Sequence, residues 1–107
     1  MHGLADERSL AMHRVVATRL AADARLLEAA RSRVARWLVD GSVHPRYAAA
    51  WRDLLGGPLE RLLDVLVDPG EEARALRQCS PFAGVIDPRE RWRIWSDTRE
   101  RWAAGAP

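Results

Sequence analysis

Lysine and asparagine are absent from this chain of 107 residues, so all 17 basic side chains belong to arginine. Codon usage in a GC-rich genome explains that bias, together with the many alanines, without a functional cause. The alternative is selection for arginine itself, whose planar guanidinium binds carboxylates and phosphates through two parallel hydrogen bonds. Composition alone does not decide between these two explanations.

Cysteine and long apolar runs are also scarce. Cys79 is the single cysteine, which excludes a disulfide within the chain and fits a reducing compartment. No basic-then-apolar leader pattern opens the sequence, and no apolar run approaches the ~18 residues of a membrane-spanning helix. We therefore expect a cytoplasmic protein with no membrane contact.

The net charge of +2 is small and unevenly divided along the chain. Residues 1–46 contain eight arginines and five acidic residues, a balance of +3, whereas residues 47–107 contain nine and ten, a balance of −1. Nucleic-acid-binding proteins usually concentrate positive charge on one face. Hydrophobic residues make up 48% of the chain, which is enough to predict a folded core rather than disorder.

Apolar residues recur at helical spacing through most of the chain, which predicts a series of amphipathic helices. The first covers residues 9–21, beginning as early as Leu4, and the second covers residues 24–40, capped by Asp23. No helix breaker separates the two, so one continuous helix is the alternative. Later helices are predicted over residues 45–55, after Pro58, from Asp68 to about Arg77, and from Asp87 to about Trp102.

Two D-P-x-E motifs, at residues 68–71 and 87–90, match the capping box that starts a helix. In each, the aspartate is expected to accept a hydrogen bond from the third backbone N–H, and the glutamate to reach back to the aspartate's own N–H. Residues 78–86 between them are predicted to be an ordered loop, and no alternating strand pattern occurs. The prediction is one all-α domain over residues 1–107, a compact bundle of five to six helices, with residues 1–5 and 103–107 frayed.

Catalytic material is sparse. The three histidines are far apart in sequence, and no nucleophile, phosphate-loop or dinucleotide motif is present. His13 falls on an apolar stripe and is predicted to be a buried structural residue, while His44 precedes Pro45 in a loop or capping position. The neighbouring Arg74 and Arg77 are expected to lower the pKa of the Cys79 thiol, but no base accompanies it. We expect no enzyme activity, no metal and no cofactor.

Tryptophan and arginine dominate the last helix. Trp92, Trp95 and Trp102 share one side of it, at spacings of three and seven residues. Packing of Trp92 and Trp95 in the core is the expectation, with Trp102 the best candidate for exposure. Both residue types are also typical of protein interfaces, and the mixed charge of this helix favours a protein partner over a phosphate backbone.

Helix two offers a second basic surface, formed by Arg25, Arg33 and Arg36. A solvated helix face is the simpler interpretation. The alternative is a contact with nucleic acid or an acidic partner, which implies a nucleic-acid-binding accessory or transcriptional regulator.

The run RALRQCSPFAGVIDPRERWRIW, residues 74–95, resembles a segment of small bacterial proteins from toxin–antitoxin modules. In longer relatives this segment follows an excisionase-like DNA-binding head, and the neighbouring gene often encodes a PIN-type nuclease or a nucleotidyltransferase. Residues 8–20 and 51–68 are also similar, so the resemblance spans most of the chain. Its most specific residues are Arg77-Gln78, Ser80 to Gly84 and Arg91-Trp92.

The resemblance implies that the chain neutralises a cognate toxin enzyme by direct occlusion. Because the DNA-binding head is lacking, direct operator binding is not expected. Phe82 is either a plug for the partner's cleft or part of the chain's own core, and a homodimer formed through the tryptophans is a further alternative. The residues expected to bind the partner are Arg77, Gln78, Ser80, Pro81, Phe82, Arg89, Arg93, Trp95, Arg99 and Trp102.

Overall fold

The structure, a computed structural model, describes residues 3–105, which form six α-helices and two single 3-10 turns and include no strand. The predicted all-α bundle is confirmed. Residues 4–5 and 103–105, expected to be frayed, are helical, whereas residues 1–2 and 106–107 lie outside the described residues. The helices are α1 (Leu4–Ala22), α2 (Leu27–Asp40), α3 (Pro45–Gly56), α4 (Leu59–Val67), α5 (Glu71–Gln78) and α6 (Pro88–Gly105).

Helix α1 is the centre of the bundle, because α4, α5 and α6 all pack against it, while α2 packs on α3. Its buried side chains recur at helical spacing and include Leu10, Val16 and Leu20. Trp51 of α3 is fully buried, and its indole N–H donates to the carbonyl of Leu76 at 3.2 Å. Within residues 3–105, no helix combines the length and the apolar character required to cross a membrane.

The helical conformation is interrupted at Asp23, so residues 4–40 form two helices and not one continuous helix. Asp23 adopts an extended conformation (φ −147°, ψ 93°), and its carboxylate accepts a hydrogen bond from the backbone N–H of Arg25 at 3.1 Å. A 3-10 turn over Ala24–Leu26 then leads into α2. The predicted end of this helix at residue 40 is confirmed, and Gly41 follows with a left-handed φ of 70°, a conformation that glycine adopts without steric cost.

The two D-P-x-E motifs behave differently, although their local sequences agree. Asp87 accepts from the backbone N–H of Glu90 at 2.8 Å, as predicted, but the Glu90 side chain turns away to an arginine of α1. The prediction at Asp68 is wrong, because α5 begins at Glu71 with Gly70 as its N-cap. Asp68 instead closes a tight turn, its carboxylate accepting from the Gly70 N–H at 2.8 Å.

Candidate functional site

The loop between α5 and α6 turns its apolar residues inward. Phe82 is 2% exposed and packs edge-on against Trp51, with ring centroids 5.8 Å apart. Pro81 is also buried, and the Phe82 N–H donates to the hydroxyl of Ser80 at 3.2 Å. Phe82 and Pro81 therefore belong to the chain's own core, and the expectation that they contact a partner does not fit this structure.

Arg77 is likewise an interior residue, at 5% exposure. Its Nη1 donates to the carbonyls of Val65, Leu66 and Asp68 at 3.2, 3.4 and 2.7 Å. These carbonyls lie at the end of α4, where the backbone lacks helical partners and a cation is favourable. Burial lowers the pKa of Arg77 from its usual value, yet a guanidinium stays protonated at neutral pH. Arg77 thus caps α4 and is not free to bind a partner with this edge.

His13 fastens α1 to the loop between α5 and α6. Its Nδ1 lies 2.7 Å from the carbonyl of Ser9, and its Nε2 lies 2.8 Å from the Ser80 hydroxyl. A carbonyl only accepts, so Nδ1 carries the proton and Nε2 accepts from Ser80. Burial lowers the pKa of His13, the hydrogen bond to Ser9 opposes that shift, and the charge of Arg77 adds to it. The predicted structural role of His13 is confirmed.

A cavity of about 420 Å³ opens between α1, the α5–α6 loop and α6. We call it the arginine pocket, because three arginines line it and no described acidic side chain does. Apolar walls come from both helices and from the ring of Phe82. It is lined by Ala5, Arg8, Ser9, Met12, His13, Val16, Arg77, Gln78, Ser80, Phe82, Ala83, Arg91 and Trp95.

Hydrogen-bond donors are in excess in the arginine pocket. The Nε–H groups of Arg8, Arg77 and Arg91 are buried and have no acceptor within residues 3–105. The guanidinium of Arg8 lies 5.5 Å from the ring centre of Trp95, and Nη2 of Arg91 donates to the Ala83 carbonyl at 3.0 Å. None of the three arginines forms an ion pair with a described carboxylate.

Beside the pocket, α6 presents an outward row of aromatic and basic side chains. Trp92, Trp95, Arg99 and Trp102 follow one another at spacings of three, four and three residues, which keeps them on one side of the helix. The tryptophans are 68%, 38% and 42% exposed. We call these four residues the tryptophan stripe; through Trp95 it adjoins the arginine pocket.

The exposure of the stripe corrects the expectation that Trp92 and Trp95 pack in the core. Among the described residues of α6, only Thr98 is buried, because this helix covers α1 along a narrow line. Trp102 is exposed as expected. Arg89 and Arg93 are exposed too. Arg89 precedes Trp92 by three residues and adjoins the start of the stripe, whereas Arg93 lies on a neighbouring face of the helix.

An ion pair fixes the start of α6 against α1. Arg19 donates to the carboxylate of Glu90 and, through Nη1, to the carbonyl of Val85 at 2.9 Å. The hydrogen bond to Glu90 raises the pKa of Arg19. This pair sets the position of Arg91, one residue further, at the rim of the arginine pocket.

Sequence reasoning missed Arg8 and Arg91 as pocket residues. Arg91 carried a signal, since it belongs to the most specific part of the family resemblance. Arg8 belongs to the wider resemblance over residues 8–20, but nothing in the sequence links it to its partner Trp95, which is 87 residues away. Of the expected contact residues, the structure brings Arg77, Gln78, Ser80, Phe82 and Trp95 to the pocket and leaves Arg99 and Trp102 on the stripe. Arg89 and Arg93 do not line the pocket.

The arginines of α2 and its preceding turn do not form a bare basic face. Arg25 binds Asp23 through Nε at 2.9 Å and Nη2 at 3.2 Å. Arg33 donates to the Pro81 carbonyl at 3.4 Å, which leaves Arg36 exposed. This arrangement favours the interpretation of a solvated, locally paired surface over a nucleic-acid contact.

Cys79 is not set up for nucleophilic chemistry, since burial raises the pKa of its thiol; the expected lowering by neighbouring arginines is wrong. No group of three His, Cys, Asp or Glu side chains within residues 3–105 is spaced to hold a metal ion.

Comparisons of the chain with protein-family models, curated proteins and solved structures gave no match. The arginine pocket and the tryptophan stripe are therefore the features from which function is inferred.

Proposed function

We propose that this chain is an antitoxin-like binding module that neutralises a partner toxin enzyme, of nuclease or nucleotidyltransferase type, by covering its working surface. The observation that carries the proposal is the tryptophan stripe. Three tryptophans of one helix remain 38–68% exposed, although burying such rings is strongly favourable. A surface of this kind is typical of a protein-interaction site.

The composition of the stripe matches the residues that dominate binding energy at protein interfaces, where tryptophan and arginine are the most frequent hot spots. Its spacing of three, four and three residues is that of a helix seated in a groove. Arg99 lies inside the stripe and has no ion-pair partner among the described residues. The groove that fits it is apolar and carries an acidic side chain.

The resemblance to antitoxin-type proteins supports the same role. The burial of its most specific residues moves the proposed contact from the α5–α6 loop to α6. Its most specific residues include Arg77 and Phe82, which are buried and hold the α5–α6 loop in place. That loop in turn positions α6. We therefore assign these positions a structural role and propose that the partner contact lies on the helix that follows.

The experiment is co-purification of the chain with the product of its neighbouring gene, followed by affinity measurement on stripe variants. Trp92→Ala/Trp102→Ala is expected to weaken the complex by about 30-fold or more, because a hot-spot side chain contributes about 2 kcal/mol or more. Val39→Ala is the matched control, since Val39 of α2 is 89% exposed and lies outside the stripe. Thermal unfolding establishes that both variants fold.

Unchanged affinity of the double variant would place the contact elsewhere on the molecule. Absence of any complex, together with full toxicity of the neighbouring gene product in cells that express this chain, would remove the proposed function altogether. An equal loss with Val39→Ala would also count against the stripe, because it would indicate a general effect of losing exposed apolar surface.

A further inference from the structure

We infer that the arginine pocket is a binding site for an organic carboxylate. Arg8, Arg77 and Arg91 meet there across a sequence separation of 83 residues, and no described acidic side chain lines the cavity. A folded chain normally distributes opposite charges so that its arginines find partners. Asp6 and Asp68 offset part of the charge of Arg77 from outside the cavity, whereas Arg8 and Arg91 have no ion-pair partner among the described residues.

The unused donors are the second observation. Native proteins leave few buried polar groups without a partner, and each costs about 1–3 kcal/mol. Three such groups are the Nε–H donors of the pocket's arginines. The indole N–H of Trp95 has only a weak acceptor, the sulfur of Met12 at 2.9 Å. These Nε–H groups have almost no accessible surface in the unliganded chain, so a ligand that supplies oxygen acceptors and negative charge would reach them only after Arg8 or Arg91 turns toward the cavity.

The polar groups that remain are already engaged. The hydroxyl of Ser80 donates to His13 and accepts from the backbone N–H of Phe82, so this pair does not compete for the ligand. Arg77 is held by three carbonyls through Nη1 and forms a fixed wall. Arg8 and Arg91 stand at the rim with long side chains that can turn their Nε–H edge toward a ligand oxygen.

The apolar walls decide between kinds of anion. Met12, Val16, Phe82 and Trp95 line the same cavity, and a free inorganic phosphate would lose its hydration against them. A carboxylate carries a single charge, accepts two parallel hydrogen bonds from one guanidinium, and can be attached to an apolar body. The cavity of about 420 Å³ has room for an aromatic ring together with its carboxylate.

Phenylacetate is the probe, and the neutral phenylacetamide of the same shape is its control. Titration calorimetry on the purified chain, with the Trp95 indole signal followed by NMR, is expected to show phenylacetate binding at least about tenfold more tightly than the amide. That factor corresponds to one charge-assisted hydrogen bond. Equal binding of the two, or binding of neither, would overturn the inference.

Variants locate the site. Arg91→Gln and Arg8→Gln should each weaken phenylacetate binding by about tenfold or more, and two positions are used so that one folded variant suffices. Arg61→Gln is the control, because Arg61 is exposed on α4 and lies outside the pocket. Loss of binding in Arg61→Gln, or retention in both pocket variants, would contradict the assignment. Inorganic phosphate that competed as well as phenylacetate would overturn the choice of carboxylate.

Experiments on the complex with the partner distinguish two sources of the carboxylate, an acidic side chain of the partner and a small molecule. This step alone depends on the proposed function. If an acidic side chain of the partner enters the pocket, saturating phenylacetate and Arg91→Gln both weaken the complex. If a small molecule is the natural ligand, the complex persists and still binds phenylacetate. Failure of the tryptophan stripe to bind a partner would leave the titrations on the isolated chain unaffected, so the two proposals can fail separately.

Discussion

Two buried residues, Arg77 and His13, connect elements that are distant in sequence. The sequence predicted a structural role for His13 but assigned Arg77 to the partner contact, and the structure shows both as buried connectors. Arg77 joins α5 to the end of α4, and His13 joins α1 to the loop before α6. Their contributions to stability can be measured separately, because Arg77 is charged, whereas burial favours the neutral form of His13.

Arg77→Leu is expected to lower the free energy of unfolding by about 3 kcal/mol. The leucine keeps apolar bulk, but it leaves three carbonyls at the end of α4 without their charge-assisted donor. Urea denaturation measures the change. Arg74→Leu, one turn earlier on α5, is the control, since Arg74 makes two ion pairs at 3.5 Å, one with the exposed Glu71 and one with the partly buried Asp6. Such pairs contribute about 0–1 kcal/mol, and equal losses in both variants would contradict the capping role.

His13 makes the stability of the fold dependent on pH. Its pKa in the folded chain lies below the ordinary value of 6.5, so the unfolded chain takes up the proton first as the pH falls. Stability is therefore full above about pH 6.5 and declines below it, until the folded-state pKa is reached. The slope reaches about 1.4 kcal/mol per pH unit at most.

Urea denaturation between pH 7.5 and 5.5 tests this dependence. His13→Gln removes the titrating ring, and its unfolding free energy should fall less steeply than that of the wild type over this range. A His13→Gln variant with an undiminished slope would assign the titration to other groups.

At the scale of elements, the position of α6 depends on its first turn. The carboxylate of Glu90 accepts a hydrogen bond from Arg19 of α1. Because only Thr98 is buried among the described residues of α6, this bond is expected to contribute much of what holds the helix in place. We expect Glu90→Gln to speed amide exchange in the first half of α6 while α3 keeps its protection. The loss in overall stability should stay near or below about 1 kcal/mol, because the pair is partly exposed. Glu100→Gln, exposed on the same helix, is the control; equal exchange in both variants would show that the ion pair does not hold the helix.

Elements also show where sequence reasoning succeeded and where it failed. Periodicity and caps located all six helices, because both are local properties of the chain. Periodicity did not show which way a stripe faces. In α4, Leu62 and Leu66 face the core, whereas Trp92 and Trp95 in α6, with equally regular spacing, face outward. The difference comes from how much of each helix its neighbours cover, which no local pattern encodes.

For the molecule as a whole, the arginine pocket lies beyond what spacing predicts. Its rim residues Arg8 and Arg91 come from opposite ends of the chain and meet because α1 and α6 pack together. The family resemblance marked one side of the pocket but gave no reason for it. The three arginines with unpartnered Nε–H donors come together only in the folded chain, so the site could not be recognised from the sequence.

The net charge of α6 bears on whether two copies of the chain associate through their tryptophan stripes. Helix α6 contains five arginines against three acidic residues, a balance of +2, so two copies brought together along this helix repel each other. We therefore expect sedimentation velocity at low salt to give the mass of a single chain. Arg99→Leu removes one charge and makes the stripe more apolar, and it should promote concentration-dependent dimers. A wild-type chain already dimeric at low salt would mean that the tryptophans are covered by a second copy, and the contact surface proposed for the toxin would then be occupied before any partner arrives.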